Sequence, residues 1–113
     1  MPFIDVKTNV EISDNNEKAL IKDMGEAITL IPGKSERWLM LNFDDKCRMA
    51  FAGSTEPTAI LEVKLFGKAS GSAFSNLTRA LTDIVNSKLD IPKNRIYVKY
   101  DEIGTWGFGG ENF

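Results

Sequence analysis

The 113 residues fit one domain around a single core, and 42% hydrophobic with 27% charged residues places the chain among soluble globular proteins rather than disordered or fibrous ones. A formal net charge of −2 with no lysine or arginine cluster argues against a nucleic-acid footprint. The absence of histidine and the single cysteine, Cys47, exclude an intramolecular disulfide and argue against a zinc site or any other metal centre.

In chain order, residues 3–10 alternate and are rich in β-formers, which predicts a strand. Asp14 as N-cap with Glu17 three residues on predicts a helix start, and Leu20, Met24, Ala27, Ile28 and Ile31 make its apolar stripe. Pro32-Gly33 ends that helix. Residues 38–43 read as a buried strand, Asp44-Asp45-Lys46 as a turn, and residues 48–51 as a short paired strand. The plan then repeats. Residues 59–66 form a strand, and 67–72 a loop. Phe74, Leu77, Leu81, Ile84, Val85 and Lys88 mark a second amphipathic helix. Asp90-Ile91-Pro92 stops it, residues 95–100 form a last strand, and an aromatic, glycine-punctuated tail follows from 104 to 110.

The resulting fold class is α/β of the α+β kind, a β-α-β-β-α-β domain over residues 1–113. Right-handed crossovers lay both helices on one face of a four-stranded mixed sheet. The other face then lies open. Trp38, Met40, Leu61, Val63 and Ile96 are candidates to line it, and an apolar open face predicts self-association into a closed ring.

Histidine being absent, acid–base chemistry at neutral pH needs an unusual group. Pro2 is the candidate. Removal of Met1 exposes its secondary α-amine, in a class that titrates near ~7.7–8.0. Burial and a neighbouring cation both disfavour the protonated form and move it lower, which produces a general base near pH 7.

The company of Pro2 is informative. Met1-Pro2-Phe3-Ile4 with Thr8-Asn9-Val10, Pro32-Gly33-Lys34, and Met49-Ala50-Phe51-Ala52-Gly53-Ser54-Thr55-Glu56-Pro57 form one part of a pattern. Leu65-Phe66-Gly67-Lys68, Asn94-Arg95-Ile96-Tyr97-Val98 and Trp106-Gly107-Phe108 form the rest. Together they resemble the macrophage migration inhibitory factor and D-dopachrome tautomerase family of the tautomerase superfamily, over essentially the whole chain.

The resemblance implies a homotrimer whose sheets enclose a central barrel, with sites between subunits. It also implies keto–enol tautomerisation of compounds such as phenylpyruvate or dopachrome, without a cofactor. On this pattern Pro2 is the base, and Lys34 binds the substrate carboxylate and lowers the proline pKa. Phe66 takes a position whose backbone amide contacts substrate, Tyr97 comes from the neighbouring subunit, and Trp106 and Phe108 rim the pocket. Phe113 matches a phenylalanine near the family's end. Lys99 replaces a pocket asparagine of the mammalian cytokine, adding a second cation for substrate, or else faces outward from its strand. Thr58-Ala59-Ile60-Leu61 stands where the family has Cys-x-x-Cys, so thiol oxidoreductase activity is not expected.

A different class of function competes with the enzyme: a cytokine-like signalling or host-mimic protein that binds a cell-surface receptor through the same scaffold. No run approaches the ~18 apolar residues of a membrane span, and charged residues interrupt the amino end where a signal peptide would lie. The expected location is the cytoplasm; secretion without a signal peptide leaves no mark in a sequence.

Overall fold

The computed structural model describes residues 1–113. Its main sheet is ordered β2-β1-β3-β4, built from β1 (Pro2–Thr8), β2 (Met40–Asp44), β3 (Ala59–Phe66) and β4 (Ile96–Ile103). The central pair, β1 and β3, is antiparallel, while β2 and β4 run parallel to their neighbours at the two edges. Helices α1 (Asp14–Ala27) and α2 (Gly71–Leu89) make the two crossovers and pack against each other. No helix is long and apolar enough to cross a membrane.

Local chemistry explains the boundaries. Ser13, not Asp14, caps α1: its extended backbone lets Oγ accept from the Asn16 N–H at 3.1 Å. Asp14 and Glu17 then fall in the first turn, where carboxylates suit the helix dipole. Ser70 caps α2 in the same way through the Ala73 N–H, and Asp90 ends it in the left-handed region at φ 55°. Ala73, Leu77, Leu81, Val85 and Leu89 form a buried i,i+4 stripe on α2.

Three expectations change. Trp38 belongs to a single 3-10 turn, Glu36–Trp38, and β2 begins only at Met40. Residues 48–51 form no strand; they end in one bridge, Phe51 to Ser54, across Ala52 and Gly53 at φ 53° and 74°. That two-residue turn consumes the pairing capacity of the segment on itself. The last long strand runs three residues beyond Tyr100, because β4 pairs with β3 along its full length. Beyond it, Gly107–Phe108 (β5) and Glu111–Asn112 (β6) close a small hairpin over Gly109-Gly110.

The open sheet face also differs. Leu61, Val63 and Ile96 lie under the helices, fully or nearly fully buried. With Ala59 and Leu65 they take the core side of β3 and β4, so the period-2 pleat puts Ile60, Glu62, Lys64 and Phe66 on the other side. The middle of that open face is ionic. Lys7 pairs with Asp5, and with Glu62 at 3.7 Å. Lys64 reaches Asp101 at 3.9 Å, and Lys99 reaches Asp101 at 3.3 Å and Glu62 at 3.6 Å. Exposed apolar groups such as Met40 and Tyr97 sit towards its margins. An apolar open face therefore gives no reason for self-association.

Candidate functional site

Pro2 opens β1, a strand position that tolerates the missing N–H. It is buried, with Leu65 opposite it on β3. Around it the backbone and one lysine form a compact polar group. The Phe66 N–H donates to the Met1 carbonyl at 3.1 Å, and Lys34 Nζ donates to the Phe66 carbonyl at 2.8 Å. Gly33, at φ 82°, makes the turn that brings Lys34 back towards the sheet. The α-amine of the chain sits beside this lysine. Burial first, then the charge of Lys34 and its hydrogen bond, hold the amine below its ordinary pKa.

In front of this group lies a cleft of about 430 Å³. Pro2, Trp106 and Phe108 line it together, so three sequence-selected residues converge. Lys34 and Phe66 join them through Met1, which also borders the cleft, and the Phe66 ring meets that of Phe113 at 5.9 Å between centroids. Arg37 and Trp38 are lining residues that sequence reasoning missed. The Trp38 ring meets Phe108 edge-on at 5.2 Å, and the Arg37 guanidinium lies 5.2 Å from the Trp38 ring centre. The available signal was a cation three residues after Lys34, next to an aromatic residue.

Two selected residues lie elsewhere. Tyr97 stands beside Ile60 on β3, whereas Pro2 stands beside Leu65. Five residues of strand separate the two positions, about 17 Å. Tyr97 is 59% exposed, and its ring meets Phe51 edge-on at 5.0 Å. Lys99 lies in the middle of the open face, held by Glu62 and Asp101. These carboxylates raise its pKa, the Asp101 hydrogen bond most.

A larger hollow, about 570 Å³, is bordered by Asn9, Cys47, Arg48, Met49, Ala50 and Thr55. Size alone does not make it the site. Its Asn9 amide is already committed to the Thr55 and Glu56 carbonyls and the Thr58 N–H, and no amine of lowered pKa adjoins it. No group of three or more His, Cys, Asp or Glu side chains is placed to hold a metal ion.

The two-helix, four-strand mixed sheet, with a proline at the head of its central strand, defines the tautomerase-superfamily class of fold. The family model described as Macrophage migration inhibitory factor (MIF) matches residues 1–112, and the chain belongs to this family. Macrophage migration inhibitory factor of Xenopus laevis is 29% identical over 115 aligned positions, covering 100% of this chain and 99% of the relative. A macrophage migration inhibitory factor homolog of Brugia malayi is 25% identical with the same coverage. Among solved structures, Leishmania major MIF2 superposes with a TM-score of 0.94 at 31% identity, covering 100% of this chain and 97% of that one. The Prochlorococcus marinus homologue superposes at 0.89 with 27% identity, covering 98% of each chain.

Proposed function

We propose that the protein is a keto–enol tautomerase acting on small aromatic α-keto acids and their enols, with the Pro2 nitrogen as general base once Met1 is removed. The observation that carries this reading is the α-amine at the cleft, lowered in pKa by burial and by Lys34. Removing Met1 moves the free amine onto Pro2, one residue further into the same buried strand start. It also takes away the carbonyl that occupies the Phe66 N–H. That N–H then becomes a donor for substrate.

In the mechanism, Lys34 exchanges the Phe66 carbonyl for the substrate carboxylate, an ion pair stronger than the ammonium–carbonyl bond it replaces. The neutral Pro2 amine takes the proton alpha to the carbonyl, and the resulting ammonium returns a proton at the other end of the enolate. Arg37 offers a second cation for developing negative charge, and Trp38, Trp106 and Phe108 wall the ring from water.

Tyr97 serves the cleft of a neighbouring copy in a homotrimer. Its distance from Pro2 within one chain and its exposure support that assignment. Lys99 stands on the open face and modulates substrate choice only if a neighbour brings that face to the cleft. Phenylpyruvate tautomerisation measured on Met1-free and Met1-retaining protein, verified by intact mass, tests the proposal. Turnover confined to the processed form supports it; silence in both overturns it.

Similarity to relatives that are macrophage migration inhibitory factors favours a second reading, a cytokine-like signalling protein that binds a cell-surface receptor. It separates from catalysis at Pro2. Receptor binding that survives Pro2→Gly marks the surface, rather than turnover, as the selected function.

A further inference from the structure

We infer that Arg95 is a positioning residue for the composite pocket, acting on Tyr97 through Phe51. The inference rests on the tautomerase reading and on Tyr97 entering a neighbour's cleft. Arg95 closes the 3-10 turn that precedes β4, two residues before Tyr97. All of its side-chain hydrogen-bond acceptors are backbone carbonyls of one loop. Nε donates to Pro57 at 2.8 Å, one terminal nitrogen to Phe51 at 3.1 Å, and the other to Ser54 and Glu56 at 3.1 and 3.0 Å. The planar fork thus gathers four carbonyls of residues 51–57, a geometry an ammonium cannot reproduce.

The same guanidinium lies 5.2 Å from the centre of the Phe51 ring, and that ring meets Tyr97 edge-on at 5.0 Å. Phe51 is therefore held by its backbone and by its face, and its ring makes a T-shaped contact with a largely exposed tyrosine. Ala52 at φ 53° and Gly53 at φ 74° turn the loop tightly enough to return Ser54 to Phe51. Thr58 Oγ donates to the Arg95 carbonyl at 2.7 Å and ties the base of the loop to the start of β4. A purely structural clamp would need only the carbonyl bonds. The stacked ring, aligned from Arg95 through Phe51 to Tyr97, extends the clamp to a side chain that reaches beyond its own subunit.

The test uses Met1-free protein and the variants Arg95→Lys, Phe51→Leu and Tyr97→Ala, with Arg95→Lys and Phe51→Leu also made in the Tyr97→Ala background. Phe51→Leu keeps all four carbonyl bonds and so guards against loop collapse. Arg95→Lys and Phe51→Leu are expected to raise the KM for phenylpyruvate roughly three- to tenfold, the size of one lost aromatic contact. The expected kcat stays within about twofold, and neither change adds to Tyr97→Ala. Tyr97 ring-proton shifts should move in both single variants. An effect that adds fully to Tyr97→Ala, or unmoved Tyr97 shifts, overturns the inference while the tautomerase reading stands. Processed parent without turnover overturns the tautomerase reading beneath it, and Tyr97→Ala without effect overturns both the placement of Tyr97 in a neighbour's cleft and this inference.

Discussion

Met1 and Phe66 are joined by a hydrogen bond of 3.1 Å in which the Phe66 N–H donates to the Met1 carbonyl, while Lys34 holds the Phe66 carbonyl from the other side. Both backbone groups at the end of β3 are thus partnered before processing. Loss of Met1 frees one of them at the same step that creates the secondary amine. The expected result is a joint gain: Met1-free protein binds a carboxylate-bearing enol analogue and turns over substrate, and Met1-retaining protein does neither. Calorimetric titration of both forms checks the binding half.

The pH profile follows from the amine. Its active form is neutral, so kcat/KM falls as pH drops and the amine gains a proton. Burial and Lys34 lower the pKa of the Met1 amine. The Pro2 amine, created one residue deeper beside the same lysine, is expected to shift in the same direction, which places this acid limb below the ordinary α-amine range. Lys34→Met removes the smaller of those causes and should move the limb to higher pH without restoring the ordinary value. The same variant loses the carboxylate contact, costing roughly 10–100-fold in kcat/KM for a hydrogen bond to a charged group. A pH–rate series on both proteins reads both effects.

β3 and α2 were legible because each carries a dense, regular pattern: alternating Glu62 and Lys64, and the i,i+4 stripe from Ala73 to Leu89. The same alternation marks which side of β3 is open, yet Leu61 and Val63 were expected on that open face, where Glu62 and Lys64 in fact stand. The apolar run at Trp38–Leu41 misled, since hydrophobicity does not distinguish a 3-10 turn at a cleft edge from a strand. Pro2 was readable as candidate chemistry and Lys34 only through the family resemblance, whereas Arg37 looked like an ordinary loop charge. Arg95 was hidden for another reason. Its partners are backbone carbonyls, which every residue has, so no residue pattern marks them.

Gly25 gives a test of how the cleft is held. An added Cβ on this helix residue would collide with the Glu36 carboxylate, in the turn that carries Arg37 and Trp38. Gly25→Ala should keep or slightly raise stability, since alanine is favoured over glycine inside a helix by about 1 kcal/mol. Its KM should rise because Glu36 must move. Glu36→Ala added to Gly25→Ala relieves the collision and should restore KM, which steady-state kinetics beside thermal melts will show.

Asp5 tests the ionic face. Burial alone would raise its pKa, but hydrogen bonds from Lys7 and Asn42 prevail and hold it below the usual carboxylate value. A depressed carboxylate pKa adds stability that is present above the unfolded value, ~3.9, and is lost as pH falls through the folded one. Asp5→Asn should therefore destabilise at pH 7 by about 0.2–1 kcal/mol, the range for partly solvated pairs. The difference from the parent should shrink in acid, as urea melts at both pH values will show.

The separation of Pro2 from Tyr97 makes the sharpest prediction about assembly. If each site takes its base from one subunit and its tyrosine from the next, Pro2→Gly and Tyr97→Ala damage different halves of it. Refolded together in equal amounts, the two variants give mixed trimers. A site is whole only where an intact Pro2 meets an intact Tyr97, which by random assembly is about one quarter of all sites. The mixture should then show more activity at low substrate than the average of its two components. A site contained within one chain predicts the plain average, because no exchange of subunits can bring an intact pair together. Activity before and after co-refolding, with trimer mass confirmed by light scattering, separates these outcomes.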